Sequence, residues 1–485
     1  MSPGLILVII AGYFAVLFAV SFVAGRRSDN EGFFTGNRKS MWFVVAFAMI
    51  GSSISGVTFV SVPGMVGTGG FSYLQMVMGF VVGQILIAFV LVPLFYRMKV
   101  VSIYEYLENR FGASSHRTGA WFFFISKMLG ASVRLFLVCL TLQLLVFEPL
   151  HLPFILNVAC TVALVWLYTF RGGVKSLIWT DSLKTFCLVT SVVMCIYYVA
   201  SDLQLSPAGL VRTVAESDLS RMFFFDDFND RRFFLKQFLA GVFTMIAMTG
   251  LDQDMMQRNL SCRNSKDSQK NIITSGVMQF FINLLFLTLG VLLYTYIARR
   301  GIENPAMSDE LFPMIATGGY FPVTVGVLFI VGLISSAYAT AGSALTALTA
   351  SFTIDIAGTK GKSDEEVKRL RKRVHAGMAL VTGAVIFVFN MLNNTSVIDA
   401  VYTLASYTYG PILGMFAFGI FMKQRVHDRY VPLVAILSPL ICYILQKYSE
   451  SWFNGYRFSY ELLLFNALFT FAGLLILTRR SAKEF

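Results

Sequence analysis

The sequence predicts an all-α polytopic membrane protein of about thirteen transmembrane helices, and three observations predict it. Of the 485 residues, 56% are apolar and only 14% charged, with a mean hydropathy of +0.68, far above an ordinary soluble chain. The apolar residues gather into runs long enough to cross a hydrocarbon core, with approximate cores at 4–24, 41–66, 71–96, 119–147, 152–170, 178–200, 233–250, 272–298, 322–353, 374–393, 398–422, 429–447 and 460–478. The formal charge of +12 is dispersed through short connections between those runs, which fits membrane topology rather than a nucleic-acid partner.

The first run, Leu5 to Ala24, has no basic region before it and no small-residue cleavage site after it, so a retained helix is expected rather than a signal peptide. The second, 41–66, invites helix breaking. Its middle, MIGSSISGVTFVSVPG (49–64), holds five hydroxyl side chains, three glycines and a proline. A lipid-facing helix satisfies all its backbone groups internally, so a stretch that invites breaking must line a protein cavity or water. Freed carbonyls and hydroxyls are also what a dehydrated cation and a polar solute need. The third run carries Gln75 in FSYLQMVMGF, and the fourth carries Lys127 and Arg134 in its interior. A charge inside a span is costly and faces a partner or a cavity. Guanidinium can hold a carboxylate through two parallel hydrogen bonds, so Arg134 is the strongest single candidate for an anionic solute. Lys127, seven residues earlier on the same face, makes a two-cation lining available, beside the blander explanation of snorkelling or packing.

Runs five and six frame YTFRGGVKSLIWTDSLKTF (168–186), a basic glycine turn leading into a helix with Asp181 and, three residues on, Lys184 on the same face. Run seven ends in the polar knot GLDQDMMQRNLS (250–261), where Asp252, Gln253 and Arg258 are expected to form a cap or gate. Run nine contains LISSAYATAGSALTALTASFTID (333–355), and run eleven SYTYGPILGMF (406–416). The charged segment 356–374 before run ten is expected to be a solvated amphipathic connector.

Basic residues fall on alternate connections: Arg26, Arg27, Arg38 and Lys39; Arg97, Lys99, Arg110 and Arg117; Arg258, Arg263, Lys266 and Lys270; KGKSDEEVKRLRKR; Lys423, Arg425 and Arg429; Arg479 and Arg480. By the positive-inside rule that side is cytoplasmic, with the N-terminus outside and the C-terminus inside, in a cell's inner (plasma) membrane. The six cysteines lack CxxC spacing and the four histidines lack ligand spacing, so neither a disulfide framework nor a metal centre of that kind is expected. Phe59 and Phe243 are expected to pack rather than gate. There is no phosphate loop, no HExxH and no nucleophile elbow, and an enzyme is not expected.

Together with ISGVTFVSVPG (54–64) and SIYEYLENRFG (102–112), the segments at 168–186, 250–261 and 406–416 resemble, in order and over nearly the whole chain, the sodium:solute symporter family. That family includes bacterial sialic acid, proline and pantothenate carriers and animal glucose and iodide cotransporters. The resemblance implies the leucine-transporter fold of inverted five-helix repeats. One transmembrane domain, 1–485, would then comprise an extra N-terminal helix (4–24), repeats over 41–200 and 233–422, and two peripheral helices over 429–478.

The resemblance also implies sodium (Na+) as the coupling ion. It places the ion between the carbonyls of Gly51 and Ile54 and, opposite, the Ser336 carbonyl, position 339 and Thr340. Paired hydroxyls are usual there, and this chain has Ala339 before Thr340, so one side-chain oxygen is missing. Asp181 and Ser343 match positions that serve a second sodium in some sialic acid carriers, with Gly342 and Ala339 departing from that pattern. Lys184 is the charge partner of Asp181, or a stand-in for a cation, which leaves proton coupling or no coupling as alternatives. Ser53, Ser55, Thr58 and Gln75 match solute contacts of the sialic acid branch, and Arg134 lies on the helix that supplies its carboxylate-binding arginine. The expected activity is secondary active, sodium-coupled uptake of a small organic solute, a sugar acid such as sialic acid first. A neutral sugar, or a monocarboxylate or vitamin anion, comes next, and a membrane solute sensor is the alternative of another class. The expected partners are the solute and the lipid bilayer; the sequence leaves oligomeric state open.

Overall fold

The computed structural model describes residues 2–25, 40–99, 102–169, 173–359, 361–392 and 397–478. Arg26, Arg27, Arg38, Lys39, Arg479 and Arg480, and Phe170 to Gly172 of the second motif, lie outside the described residues. Among the described residues the chain is helical, with only isolated bridges in place of strands.

The first helix, α1, spans Pro3–Gly25. The expected run 41–66 divides into α2, Trp42–Ser53, and α3, Gly56–Gly69, bent by 60°. Then come α4 (Ser72–Met98), the short α5 (Glu105–Arg110), α6 (Ala113–Phe147), α7 (Phe154–Thr169), α8 (Gly173–Asp202) and the surface helix α9 (Pro207–Ala215). A second bent pair follows: α10, Phe234–Gly250, ends in a π-helical turn and meets α11, Gln253–Asn259, at 71°. The remainder is α12 (Ser265–Arg300), α13 (Leu311–Thr317), α14 (Val323–Ile356), α15 (Asp364–Leu392), α16 (Val397–Phe421), α17 (Val431–Trp452) and α18 (Leu462–Ile476). Nine single helices are long and apolar enough to cross a membrane, and the two bent pairs and the shorter apolar α7 and α18 bring the described apolar segments to the thirteen expected.

Two boundaries differ from the sequence expectation, and each has a local cause. The connector expected at 356–374 becomes helix from Asp364 onward, because Ser363 and Glu366 form a capping box. The Ser363 amide donates to Glu366 Oε2 at 2.8 Å, and the Glu366 amide returns toward Ser363 Oγ at 3.4 Å. The polar knot after run seven is itself a helix, α11, with all seven residues buried.

Packing brings both bent pairs to the middle of the bundle. Helix α4 lies against α10 at backbone distance: a Cβ on Gly79 would stand 2.2 Å from the Phe238 carbonyl oxygen, and one on Gly241 2.1 Å from that of Met76. Helix α12 packs on both α3 and α4, α8 packs on α2 and α14, and α6 packs on α14 and α16. Phe59 of α3 is buried among Phe286, Phe312 and Phe329, at ring-centroid distances of 5.9, 5.2 and 5.7 Å, so it packs as expected.

Candidate functional site

The site grows from the break between α2 and α3. The last backbone bond of α2 runs from the Ile54 amide to the Ile50 carbonyl at 2.8 Å, and Ile54 (φ −87°, ψ 99°) and Ser55 (φ −87°, ψ 172°) are extended. The carbonyls from Gly51 to Ile54 are thereby left outside the helical ladder. The start of α3 lies against α14, where a Cβ on Gly56 would stand 3.6 Å from Ser336 Oγ. Across that contact Thr340 Oγ1 donates to the Ser336 carbonyl at 3.2 Å, so the two oxygens expected from α14 are neighbours. Oxygens of this kind fit a hard cation such as sodium. Ala339 is fully buried and offers no side-chain oxygen, so the set is one hydroxyl short.

Beside the break lies a cavity with about 890 Å³ of empty space, its open mouth included. Ser53, Ser55 and Thr58 line it from the break, and α6 lines it with Ser126, Lys127, Gly130, Ala131 and Arg134, one face of a helix at three- and four-residue spacing. Arg134 is half-buried and makes no ion pair or hydrogen bond among the described residues. Around it stand the hydroxyls of Tyr402 and Tyr409 from α16, Gln279 from α12, and Thr244, Thr249 and Asp252 from α10 and its junction. No sequence motif marks these residues as solute contacts, although Asp252 and Tyr409 fall inside the segments 250–261 and 406–416.

Gln75 is not among the residues lining the cavity. It is fully buried at the acidic-loop end, where its amide donates to the Ser72 and Arg232 carbonyls (3.2 and 2.9 Å) and accepts from the Phe224 amide at 3.3 Å. Those bonds fasten the long loop 203–233 to α4, which corrects the expected solute contact. Both residues of the expected two-cation lining border the cavity, but they are not equivalent. Lys127 faces the cavity but is neutralised by Asp252 (3.1 and 3.0 Å) and Asp254 (2.9 Å).

Asp252 has three tasks at once. Its Oδ1 accepts from the amides of Asp254 and Met255 (2.9 and 3.2 Å), capping α11; its Oδ2 accepts from the Tyr409 hydroxyl at 2.7 Å; and it pairs with Lys127. Asp252 is therefore the N-cap of α11 and at the same time a wall of the cavity, whereas the sequence expectation for it was a cap or gate rather than a solute contact. From below, Gln253 Oε1 accepts from the Ile103 amide at 2.8 Å, and the Tyr104 hydroxyl donates to the Leu251 carbonyl at 2.8 Å. These contacts close the cavity toward the basic end of the bundle. Toward the acidic-loop end, the Tyr73 and Tyr402 hydroxyls meet at 2.8 Å and separate the cavity from a wide vestibule lined by Tyr73, Asp230, Arg231 and Arg232.

Asp181 and Lys184 are fully buried and 3.2 Å apart, the i, i+3 pair expected. Arg258 is the unexpected third member. Its Nη1 lies 2.9 Å from Asp181 Oδ2 and also donates to Ser52 Oγ, while its Nη2 lies 3.3 Å from Asp254 Oδ1.

A profile of the sodium:solute symporter family matches residues 33–428. The sodium/sialic acid symporter NanT of Aliivibrio fischeri is 25% identical over 463 residues, 88% of this chain and 85% of its own length. The sodium/sialic acid symporter SiaT of Proteus mirabilis is 22% identical over 467 residues, 91% and 89% of the two chains. A solved, substrate-bound, outward-open Na+-coupled sialic acid symporter shares the fold with a TM-score of 0.83 at 18% identity, over 97% of each chain. The fold is the leucine-transporter type implied by the motifs.

Proposed function

Because this chain belongs to the sodium:solute symporter family, we propose that it carries a sugar acid of the sialic acid type through a membrane together with sodium, by alternating access. Arg134 is the observation that carries the substrate class. A guanidinium facing a cavity without a counter-charge recovers that charge from its ligand, and a carboxylate matches it with two hydrogen bonds. The hydroxyls of Ser53, Ser55 and Thr58 would meet the solute's own hydroxyls, with Tyr402, Tyr409 and Gln279 completing the wall. The substrates named for NanT and SiaT support the same class.

The carbonyls of Gly51, Ile54 and Ser336 and the Thr340 hydroxyl would hold the ion. When bound, sodium supplies the free energy of its gradient. The Gly51 and Ile54 carbonyls and the solute-facing hydroxyls belong to one short segment, so the same backbone would serve both ligands, with Ser336 and Thr340 completing the ion site from α14. Opening toward the vestibule would part Tyr73 from Tyr402; opening toward the basic end would part Tyr409 from Asp252 and Ile103 from Gln253. The basic end faces the cytoplasm of a plasma membrane, which sets the N-terminus outside and the C-terminus inside. The inverted repeats would run over 41–200 and 233–422, with 4–24 an extra N-terminal helix and 429–478 two peripheral helices.

Uptake into proteoliposomes, competed in turn by sialic acid, glucose, proline and pantothenate, tests the proposal. Sialic acid is expected to compete, a sodium gradient alone to drive uptake, and a proton gradient alone not to. Arg134→Ala is expected to weaken half-saturation by about 10–100-fold, the value of charge-assisted hydrogen bonds. Uptake of glucose untouched by that change would overturn the sugar-acid assignment, and competition by pantothenate alone would move it to vitamin anions.

A further inference from the structure

We propose that Lys184 is a tethered cation filling the second sodium position at Asp181, so that one sodium ion, at the α2/α14 oxygens, is coupled to each solute. The proposal rests on the sodium-symport function above and adds its stoichiometry.

The oxygens that a second ion would need are already committed. Asp181 Oδ1 takes Lys184 Nζ at 3.2 Å, while Oδ2 takes Arg258 at 2.9 Å and the Ser52 hydroxyl at 3.3 Å. Ser343 donates to the Thr340 carbonyl at 3.0 Å, Gly342 and Ala339 bring no side-chain oxygen, and the Gly342 carbonyl already accepts from Thr346 Oγ1 at 2.9 Å. The surroundings of Lys184 are those of an ion. Its ammonium sees a carboxylate oxygen, the Tyr338 carbonyl at 3.3 Å, the Tyr168 hydroxyl at 3.4 Å, and the Tyr168 ring face at 4.6 Å.

Charge balance points the same way. Lys127, Asp252, Asp254, Arg258, Asp181 and Lys184 form one continuous chain of ion pairs reaching from the solute cavity to α8, and none is more than 5% exposed. Three cations face three carboxylates, so the chain is closed in charge. A sodium ion added at Asp181 would leave an uncompensated positive charge where no exposed surface relieves it, and an unpaired buried charge is strongly disfavoured. A lysine bound to the backbone cannot leave with the gradient, so it balances Asp181 without contributing to the driving force. Neutralising Lys184 leaves one buried carboxylate short of a cation and reopens the position.

Binding of radioactive sodium to the purified full-length protein, counted per molecule without solute, tests this in the wild type and in Lys184→Gln, whose amide oxygen can also serve an ion. One ion is expected in the wild type and two in the variant, with sodium activation of uptake changing from single-site to cooperative. Two ions in the wild type, or one in a variant that elutes as folded protein, would overturn the proposal. If the variant does not fold, the wild-type ratio of sodium to solute flux decides: one supports the tethered cation and two defeats it. No sodium binding to the wild type at all would defeat the symport reading itself. A wrong sugar acid would leave the ion count untouched, so the two failures are separable.

Discussion

The molecule breaks two of its central helices, and the two breaks are built from opposite materials. Between α2 and α3 the residues Ser52, Ser53, Ile54, Ser55 and Gly56 are uncharged, the bend is 60°, and the Ser55 side chain makes no capping bond to α3. Between α10 and α11 the bend is 71°, Asp252 caps α11, and the seven residues that follow include Asp254 and Arg258, both paired. Ser52 apart, whose hydroxyl bonds Asp181 and Arg258, the first break leaves its carbonyls and the Ser53 and Ser55 hydroxyls uncommitted beside a cavity. The second spends its polar groups on partners inside the protein. A broken helix in a bilayer has to satisfy its freed backbone groups, and what satisfies them decides its use: a ligand at the first break, fixed charges at the second.

The largest expected effect breaks the second region. Arg258→Ala would strip a guanidinium from Asp181 and Asp254 together, and removing one partner of a buried ion network costs about 3–5 kcal/mol. Thermal unfolding in detergent is expected to show that loss, whereas Ser55→Ala at the first break should leave the melting temperature nearly unchanged. Equal melting temperatures for the two variants would erase the distinction.

A smaller effect is expected at the packing of the first break. A Cβ on Gly51 would fall 2.2 Å from Thr185 Oγ1 and 3.0 Å from the Asp181 carbonyl oxygen, so Gly51→Ala pushes α2 off α8 at a cost of about 1–3 kcal/mol. The half-maximal sodium concentration for uptake should rise, and Thr185→Ala in the same chain should bring it back. No recovery in the double variant would mean that Thr185 is not the obstacle.

The smallest effect sharpens the comparison from the cavity side. Tyr409→Phe removes one hydrogen bond to the Asp252 carboxylate while Lys127 and the α11 amides remain on it, a loss of about 0.5–1.5 kcal/mol. Turnover is expected to change more than half-saturation, because the bond spans a closure between α16 and the second break. A change confined to half-saturation would make Tyr409 a solute contact alone.

Much of this was legible in the chain. Thirteen apolar runs and the helix-breaking composition of 49–64 are local properties, written in hydropathy and side-chain type, whereas the capping box at Ser363 turned an expected connector into helix. Even the i, i+3 contact of Asp181 with Lys184 follows from helical spacing. The sequence alone therefore determined a polytopic bundle, where one of its helices is prone to break, and which residues carry charge into the membrane. It could not decide what each charge does there. Lys127 and Arg134 sit seven residues apart on one face of α6, and nothing local tells them apart. Lys127 is bound by Asp252, 125 positions away, and Arg134 is left to the cavity. In the same way Arg258 reached Asp181, and Gln75 turned from the cavity to the loop backbone, through packing between distant helices. A buried charge or amide is governed by the partner that tertiary packing brings within about 3 Å, a distance that periodicity along one helix does not specify.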